Sequence, residues 1–206
     1  MDLEQLKREL ERFGAHNDCE QQARGHKMLN ITRDTGELLA LLVQTRGADA
    51  VLEIGTSNGY STLWLAEAVK RLGGRVTTIE QDEGKLALAA HNFQRAGLEP
   101  WIEQLAGEAG TLLPTLPAAA YQLIFLDSDR RHYQAWWPEI QRLLAPRGLL
   151  VVDNAISHRE EMNDWMAEVA QDPAFLTALV PVGKGEFLAV GTLGQGHLGR
   201  RWPPWS

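Results

Sequence analysis

From residue 51 onward the chain alternates short apolar runs with helical segments, and that alternation leaves few folds open. VLEI (51–54) is followed by a turn over residues 55–59 and by STLWLAEAVKRL (61–72), whose apolar residues recur at helical spacing as far as Gly73 and Gly74. RVTTIE (75–80) is the next strand and KLALAAHNFQRA (85–96) the next helix, stopped by Gly97. WIEQLA (101–106), YQLIFLD (121–127) and GLLVVDN (148–154) read as further strands, with helices starting near Glu108 and near Tyr133. Strands joined by helices of this length pair in parallel and are covered on both faces. The expectation is a doubly wound α/β fold with a mostly parallel sheet. Residues 174–180 and 186–191 bracket a Gly-Lys-Gly turn and are expected to form an antiparallel hairpin at one sheet edge.

Ahead of this core, Leu3, Leu6, Leu10 and Phe13 mark an amphipathic helix over residues 2–13 that ends at Gly14. A second helix spans 34–46, with Leu38, Leu39, Leu41, Leu42 and Val43 on a broad apolar face and Gly47 as its stop. At 206 residues and 44% hydrophobic, the chain suits one buried core. It is read as a single domain, 1–206, with an N-terminal helical cap (1–46) and an α/β core (47–206).

Composition excludes several functions. No stretch reaches the roughly 20 apolar residues of a membrane helix, and Met1 opens into the charged MDLEQLKRELERF, so no membrane role and a cytoplasmic location are expected. The net charge of -7, without any run of Lys or Arg, speaks against nucleic acid and for a small-molecule partner. Cys19 is the sole cysteine, which rules out an internal disulfide and a thiolate zinc cluster. The tail GRRWPPWS reads as an extended end or a subunit contact, and with the N-terminal helix it leaves a homodimer possible.

In a doubly wound fold the ligand sits beyond the carboxyl ends of the strands, where the sheet order reverses. There the chain reads E53-I-G-T-S-N-G-Y-S61. Gly55 and Gly59 permit positive φ and close backbone approach, and the free N–H groups that open the next helix suit a carboxylate. A dinucleotide fingerprint requires G-x-G-x-x-G, but Ser57 stands where the second glycine belongs, so an NAD-dependent oxidoreductase ranks last. Glu80 ends the next strand, where a carboxylate can accept hydrogen bonds from both ribose hydroxyls. The competing reading is that the glycines serve only a tight turn and Glu80 is a solvated strand end.

Asp127 ends one strand and Asp153-Asn154 another. On neighbouring strands, two carboxylates and an amide suit a hard cation such as Mg²⁺. Alternatively these side chains merely cap their loops.

VLEIGTSNGYSTLWLA, TIEQD, AGEA, FLDSDRRHY and LLVVDN resemble the catechol and caffeoyl-CoA O-methyltransferase family, in order and with similar intervals, over about residues 28–155. The resemblance implies a Rossmann-like class I methyltransferase that binds S-adenosylmethionine and methylates a hydroxyl of a small phenolic, vicinal diol-like molecule. MLNITRDTGELL (28–39) is similar to the family segment that lies over the cofactor. By the same resemblance Glu53 and Ser61 hold the methionine moiety with Gly55, Asn30 and Ile31 nearby. Glu80 binds the ribose, while Gln81, Gly107, Glu108 and Ala109 line the adenine. Asp127, Asp153 and Asn154 hold Mg²⁺ or another divalent cation, and Asp127 also borders the cofactor.

The family commonly reads Asp-x-Asp-Lys after the first ligand, with the lysine as general base. This chain has Asp127-Ser128-Asp129-Arg130. A guanidinium, with a pKa above about 12, is a poor base but stabilises a phenolate or grips a carboxylate. The catalytic set is therefore Asp127, Asp129 and Arg130, with Asp129, His132 or the cation alone as the source of deprotonation. The family's acid facing the second catechol hydroxyl has no clear counterpart in LTALVPVGKGEF. Trp136 and Trp137 either roof a flat acceptor or pack against the sheet, and Trp165, Trp202 and Trp205 share that ambiguity. Two alternatives stand beside the main reading: a metal-independent N- or carboxyl-methyltransferase, and a cofactor-binding protein without transfer activity.

Overall fold

The computed structural model describes residues 2–192, so Trp202, Trp205 and the tail expected at a subunit contact lie outside the described residues. The elements in chain order are α1 (Leu3–Glu20), α2 (Arg33–Arg46), β1 (Ala50–Ile54), α3 (Tyr60–Lys70), β2 (Arg75–Glu80), α4 (Glu83–Ala96), β3 (Ile102–Ala106), α5 (Ala109–Leu112), β4 (Tyr121–Leu126), α6 (Tyr133–Leu143), β5 (Leu144–Val152), α7 (Arg159–Gln171), β6 (Phe175–Val180) and β7 (Glu186–Gly191). Among the described residues the strands form one seven-stranded sheet in the order β3-β2-β1-β4-β5-β7-β6. β1 to β5 pair in parallel, and β7 runs antiparallel to both β5 and β6. The order reverses between β1 and β4, which makes that junction the switch point of the sheet.

Successive strand residues face opposite sides, and the core divides accordingly. Leu52, Ile54, Ile124, Leu126, Leu150 and Val152 meet α6 and α7 through Tyr133, Trp136, Trp137, Ile140, Met162, Trp165 and Val169. Val51, Val76, Leu123, Phe125 and Val151 face the other way, against Leu6 and Leu10 of α1, Leu39 and Val43 of α2, Leu63 of α3 and Phe93 of α4. Trp136, Trp137 and Trp165 are therefore packing residues: Trp165 contacts the rings of Tyr133, Trp137 and Phe187 edge-on.

The expected stops at Gly47 and Gly97 are present as left-handed C-caps, with φ of 64° and 62°. Gly14, in contrast, does not end α1. It lies buried inside the helix, and a Cβ there would stand 2.5 Å from Asn30 Nδ2, so the missing side chain makes room for the strap that follows. Phe13 is exposed, and the inward stripe of α1 is Leu6, Lys7, Leu10 and Gly14. The Lys7 ammonium is fully buried, 2.7 Å from Glu67 and 3.3 Å above the Trp64 ring centroid, and so pins α1 to α3. α7 was not among the expected elements, although Met162, Trp165, Met166 and Val169 recur at helical spacing. Among the described residues no helix is long and apolar enough to cross a membrane.

α2 lies against α3 through Gly36, where a Cβ would stand 2.5–2.6 Å from three atoms of the Trp64 indole. Alanine ordinarily improves a helix interior by about 1 kcal/mol over glycine. Overpacking of this kind costs about 1–3 kcal/mol and wins. Gly36→Ala is expected to lower the unfolding free energy by about 1–2 kcal/mol in urea titration; a stabilised variant would contradict this packing.

Candidate active site

Gly55 follows β1 with φ 107°, and its N–H donates to the Ile79 carbonyl at 3.0 Å. A Cβ on Gly55 would lie 2.1 Å from the Asp127 carbonyl oxygen, so only glycine lets the turn pass this close to the end of β4. Gly59 caps α3 with φ 85° against the Phe93 ring. Between them Ser57 takes a left-handed φ of 48°, unusual outside glycine and asparagine. Two bonds hold it there: its N–H donates to Glu80 Oε2 at 2.9 Å, and its Oγ donates to the Met28 carbonyl at 2.8 Å. Thus the segment expected over the cofactor is latched to the glycine turn.

Two carboxylates shape this end of the sheet. Glu80 accepts the N–H groups of Ser57, Gln81 and Asp82, tying the turn after β1 to the turn after β2. Glu53 is fully buried and accepts hydroxyl hydrogen bonds from Ser61 at 2.5 Å, Thr78 at 2.7 Å and Thr62. Burial raises its pKa to about 7, against the lowering effect of those three hydroxyls and with a small push from Glu80. Glu53 thus joins β1, α3 and β2 as an internal hub, with Ser61 beside it.

The other residues expected at the cofactor fall around this turn. Gly107, at φ 147°, donates its N–H to the Glu80 carbonyl at 2.9 Å. Glu108 caps α5 by accepting from Gly110 and Thr111, bonds that hold its carboxyl below the usual range, and Ala109 is buried behind it. Gln81 is exposed. Asn30 turns its amide inward, Nδ2 donating to the Leu10 carbonyl at 3.0 Å, and the Ile31 side chain joins the core. Asn30 Oδ1 is buried without a hydrogen-bond partner.

β4 and β5 are neighbours, and the Asp153 N–H donates to the Leu126 carbonyl at 3.0 Å, so Asp127, Asp153 and Asn154 come together. Asn154 adopts a left-handed φ of 67°, and its Nδ2 donates to Asp127 Oδ1 at 3.2 Å and Asp153 Oδ2 at 2.8 Å. Glu186 belongs to the same cluster, although no clear counterpart of the family's acid was expected in its segment, LTALVPVGKGEF. It is fully buried, and Thr35 Oγ1 donates to its Oε1 at 2.8 Å. Burial, and then the Asp153 charge, raise the Glu186 carboxyl well above its ordinary range; Asp127 is pushed up by the same two causes. Asp153 also rises through burial, offset in part by a contact with Glu186 and by the charges of Lys184 and Arg130. Among the described residues no group of three or more His, Cys, Asp or Glu is arranged to hold a metal ion, so a cation here relies on Asn154 beside the two aspartates.

The residues after Asp127 are engaged elsewhere. Asp129 accepts from Arg131 through both oxygens, at 2.9 and 3.1 Å, and this contact brings its carboxyl down to about 2. A carboxylate that weakly basic is a poor proton acceptor near neutrality. Arg130 is buried, and its Nε donates to Glu161 Oε2 of α7 at 2.9 Å, so an acidic acceptor would compete with Glu161 for it. His132 stacks on Trp136, ring centroids 5.3 Å apart, at the protein surface.

A parallel sheet with a glycine turn after β1, a carboxylate closing β2 and acids at the ends of β4 and β5 defines a class I, S-adenosylmethionine-dependent methyltransferase. Residues 2–191 match the family described as O-methyltransferase, and the chain belongs to it. A catechol O-methyltransferase of Niastella koreensis is 34% identical over 71% of this chain and 67% of that protein. A catechol O-methyltransferase of Mycobacterium tuberculosis is 37% identical over 61% of this chain and 57% of its own length. The O-methyltransferase TomG of Streptomyces achromogenes, solved in complex with S-adenosylmethionine, is 27% identical and superposes with a TM-score of 0.75 over 92% of this chain and 89% of that one.

Because the Glu53 pKa is raised from 4.5 to about 7, its contribution to stability is fully present below about 4.5 and is lost as pH rises through about 7. Between pH 5 and 8 the unfolding free energy of wild type should therefore fall relative to Glu53→Gln by about 2–3 kcal/mol. A difference that stays constant with pH would contradict the raised pKa. Asp129→Asn should leave the acid limb of the pH–rate profile unmoved above pH of about 5, and a shifted limb would make Asp129 the base after all.

Proposed function

We propose that the chain transfers a methyl group from S-adenosylmethionine to one of two vicinal oxygens of a small phenolic molecule, with a divalent cation at the acceptor edge. The observation that carries this reading is the adjacency of Gly55 to Asp127, which sets the nucleoside turn directly beside the oxygen ligands. The residues present fit a cation: the aspartates offer hard oxygens, Asn154 Nδ2 stands between them as a partial positive charge, a turn of that amide would present its Oδ1, now accepting from Ser157, to the ion, and Glu186 Oε2 is buried without a donor.

Glu80 would accept the ribose hydroxyls, Gly107, Glu108 and Ala109 with Gln81 would border the adenine, and Ser61 on the Glu53 hub would face the methionine end. Asp127, Asp153 and Asn154 would hold the cation. S-adenosylmethionine supplies a methyl group activated by its sulfonium, and the cation supplies acidity to a phenol whose pKa is otherwise about 10. Asp129 and Arg130 are held by Arg131 and Glu161, so neither is assigned as a base. The chain's own part is to orient the acceptor oxygen towards the methyl group and to exclude water.

Isothermal titration should show S-adenosylmethionine binding to wild type that weakens about tenfold or more in Glu80→Ala, a loss of at least about 1.4 kcal/mol. Transfer to vicinal diphenols should cease in EDTA and return with Mg²⁺. Absent cofactor binding would remove the methyltransferase reading, and transfer indifferent to EDTA would remove the cation.

A further inference from the structure

Glu186 is a buried acid to which no role has been given. β5 and β7 pair antiparallel with Val152 opposite Phe187, so one step further along the same register sets Asp153 beside Glu186. Asp127 follows on the adjacent strand β4. Glu186 is completely shielded from solvent, yet only Oε1 has a neutral donor, the Thr35 hydroxyl of α2; Oε2 has none, and the other polar group against this carboxyl is the Asp153 carboxyl, so the pair needs a proton or a cation between them. A carboxylate oxygen left without a donor in a dry site costs about 1–3 kcal/mol or more. Packing does not explain it either, since an apolar residue would continue the buried start of β7 at no such cost.

The surroundings enforce this placement. Thr35 accepts from Thr32 Oγ1 at 3.0 Å while it donates to Glu186. Gly183 leaves no room for a side chain against Thr35 and Thr32, and its N–H donates to Asp34 Oδ2 at 3.1 Å. The start of α2 and the turn before β7 are thus closed around the carboxyl, and the Ile156 and Ser157 N–H groups bind the Lys184 carbonyl from the loop after Asn154.

We propose that Glu186 is a positioning residue of the cation site, held by Thr35 through Oε1, whose Oε2 would accept from a water on the cation rather than bind the ion. This rests on the cation reading above. Outer partners of this kind typically change metal affinity by about 10–100-fold.

Mn²⁺ added to the purified full chain, with free Mn²⁺ followed by its electron paramagnetic resonance signal, tests the assignment without any turnover. Wild type should bind Mn²⁺, Asp153→Asn should abolish binding, and Glu186→Gln should weaken it about tenfold or more. In EDTA the Glu186→Gln unfolding midpoint should stand at or above that of wild type, because one of several crowded acids is gone; this separates loss of affinity from loss of fold. No Mn²⁺ binding by wild type would remove the cation site and this role together. Binding that Asp153→Asn abolishes but Glu186→Gln leaves unchanged would keep the cation site and overturn the role of Glu186. Weaker binding that merely follows a lowered midpoint in EDTA would also overturn it, by reducing Glu186 to a structural residue.

Discussion

The backbone of Gly55 rests on the carbonyl of Asp127 with no space for a methyl group between them. Much of the site follows from that contact. β1 and β4 are the strands that flank the reversal of the sheet, so the turn after one and the acid after the other share a single crevice. Had Gly55 carried a side chain, the turn would have been displaced from the end of β4, and a donor bound on one side could not meet an acceptor held on the other.

Around that contact, charge is buried on purpose and in two different ways. Glu53 is satisfied completely by three hydroxyls, which makes it a rigid support. The acids at the ends of β4, β5 and β7 are not: the charges of Asp127, Asp153 and Glu186 oppose one another, relieved only in part by the contact between Asp153 and Glu186 and by Lys184 and Arg130 nearby. A cluster of like charges in a dry site is stable only when protonated or when a cation joins it. The crevice thus has a fully hydrogen-bonded support at Glu53 on one side and unmet charge at the ends of β4, β5 and β7 on the other, the asymmetry on which the proposed donor and cation sites rest.

Much of this was legible in the sequence because it is local. β2 spans the expected residues 75–80, Gly47 and Gly97 cap their helices, and β7 begins at Glu186, since each depends on short-range periodicity or on a left-handed cap. Gly14 is a glycine where a helix would ordinarily end, but here it yields space to Asn30, sixteen residues further along the chain and in contact only through the fold. α7 carries a stripe in Met162, Trp165, Met166 and Val169, but the charged and polar residues between them dilute it in a helix of only 13 residues. Glu186 has no local signal: GKGEF reads as a turn and a strand start, and only the antiparallel register with β5 sets its acid beside Asp153. The engagement of Asp129 by Arg131 and of Arg130 by Glu161 likewise depends on side-chain partners that spacing does not specify.

The account is tested most directly by a crystal structure grown with S-adenosylhomocysteine and Mn²⁺, read from an anomalous difference map at the manganese edge. It predicts the nucleoside along the turn of residues 55–59, the ribose on Glu80, and one anomalous peak between Asp127 and Asp153. An anomalous peak elsewhere, or a crevice closed by side chains with no nucleoside beside Gly55, would contradict it.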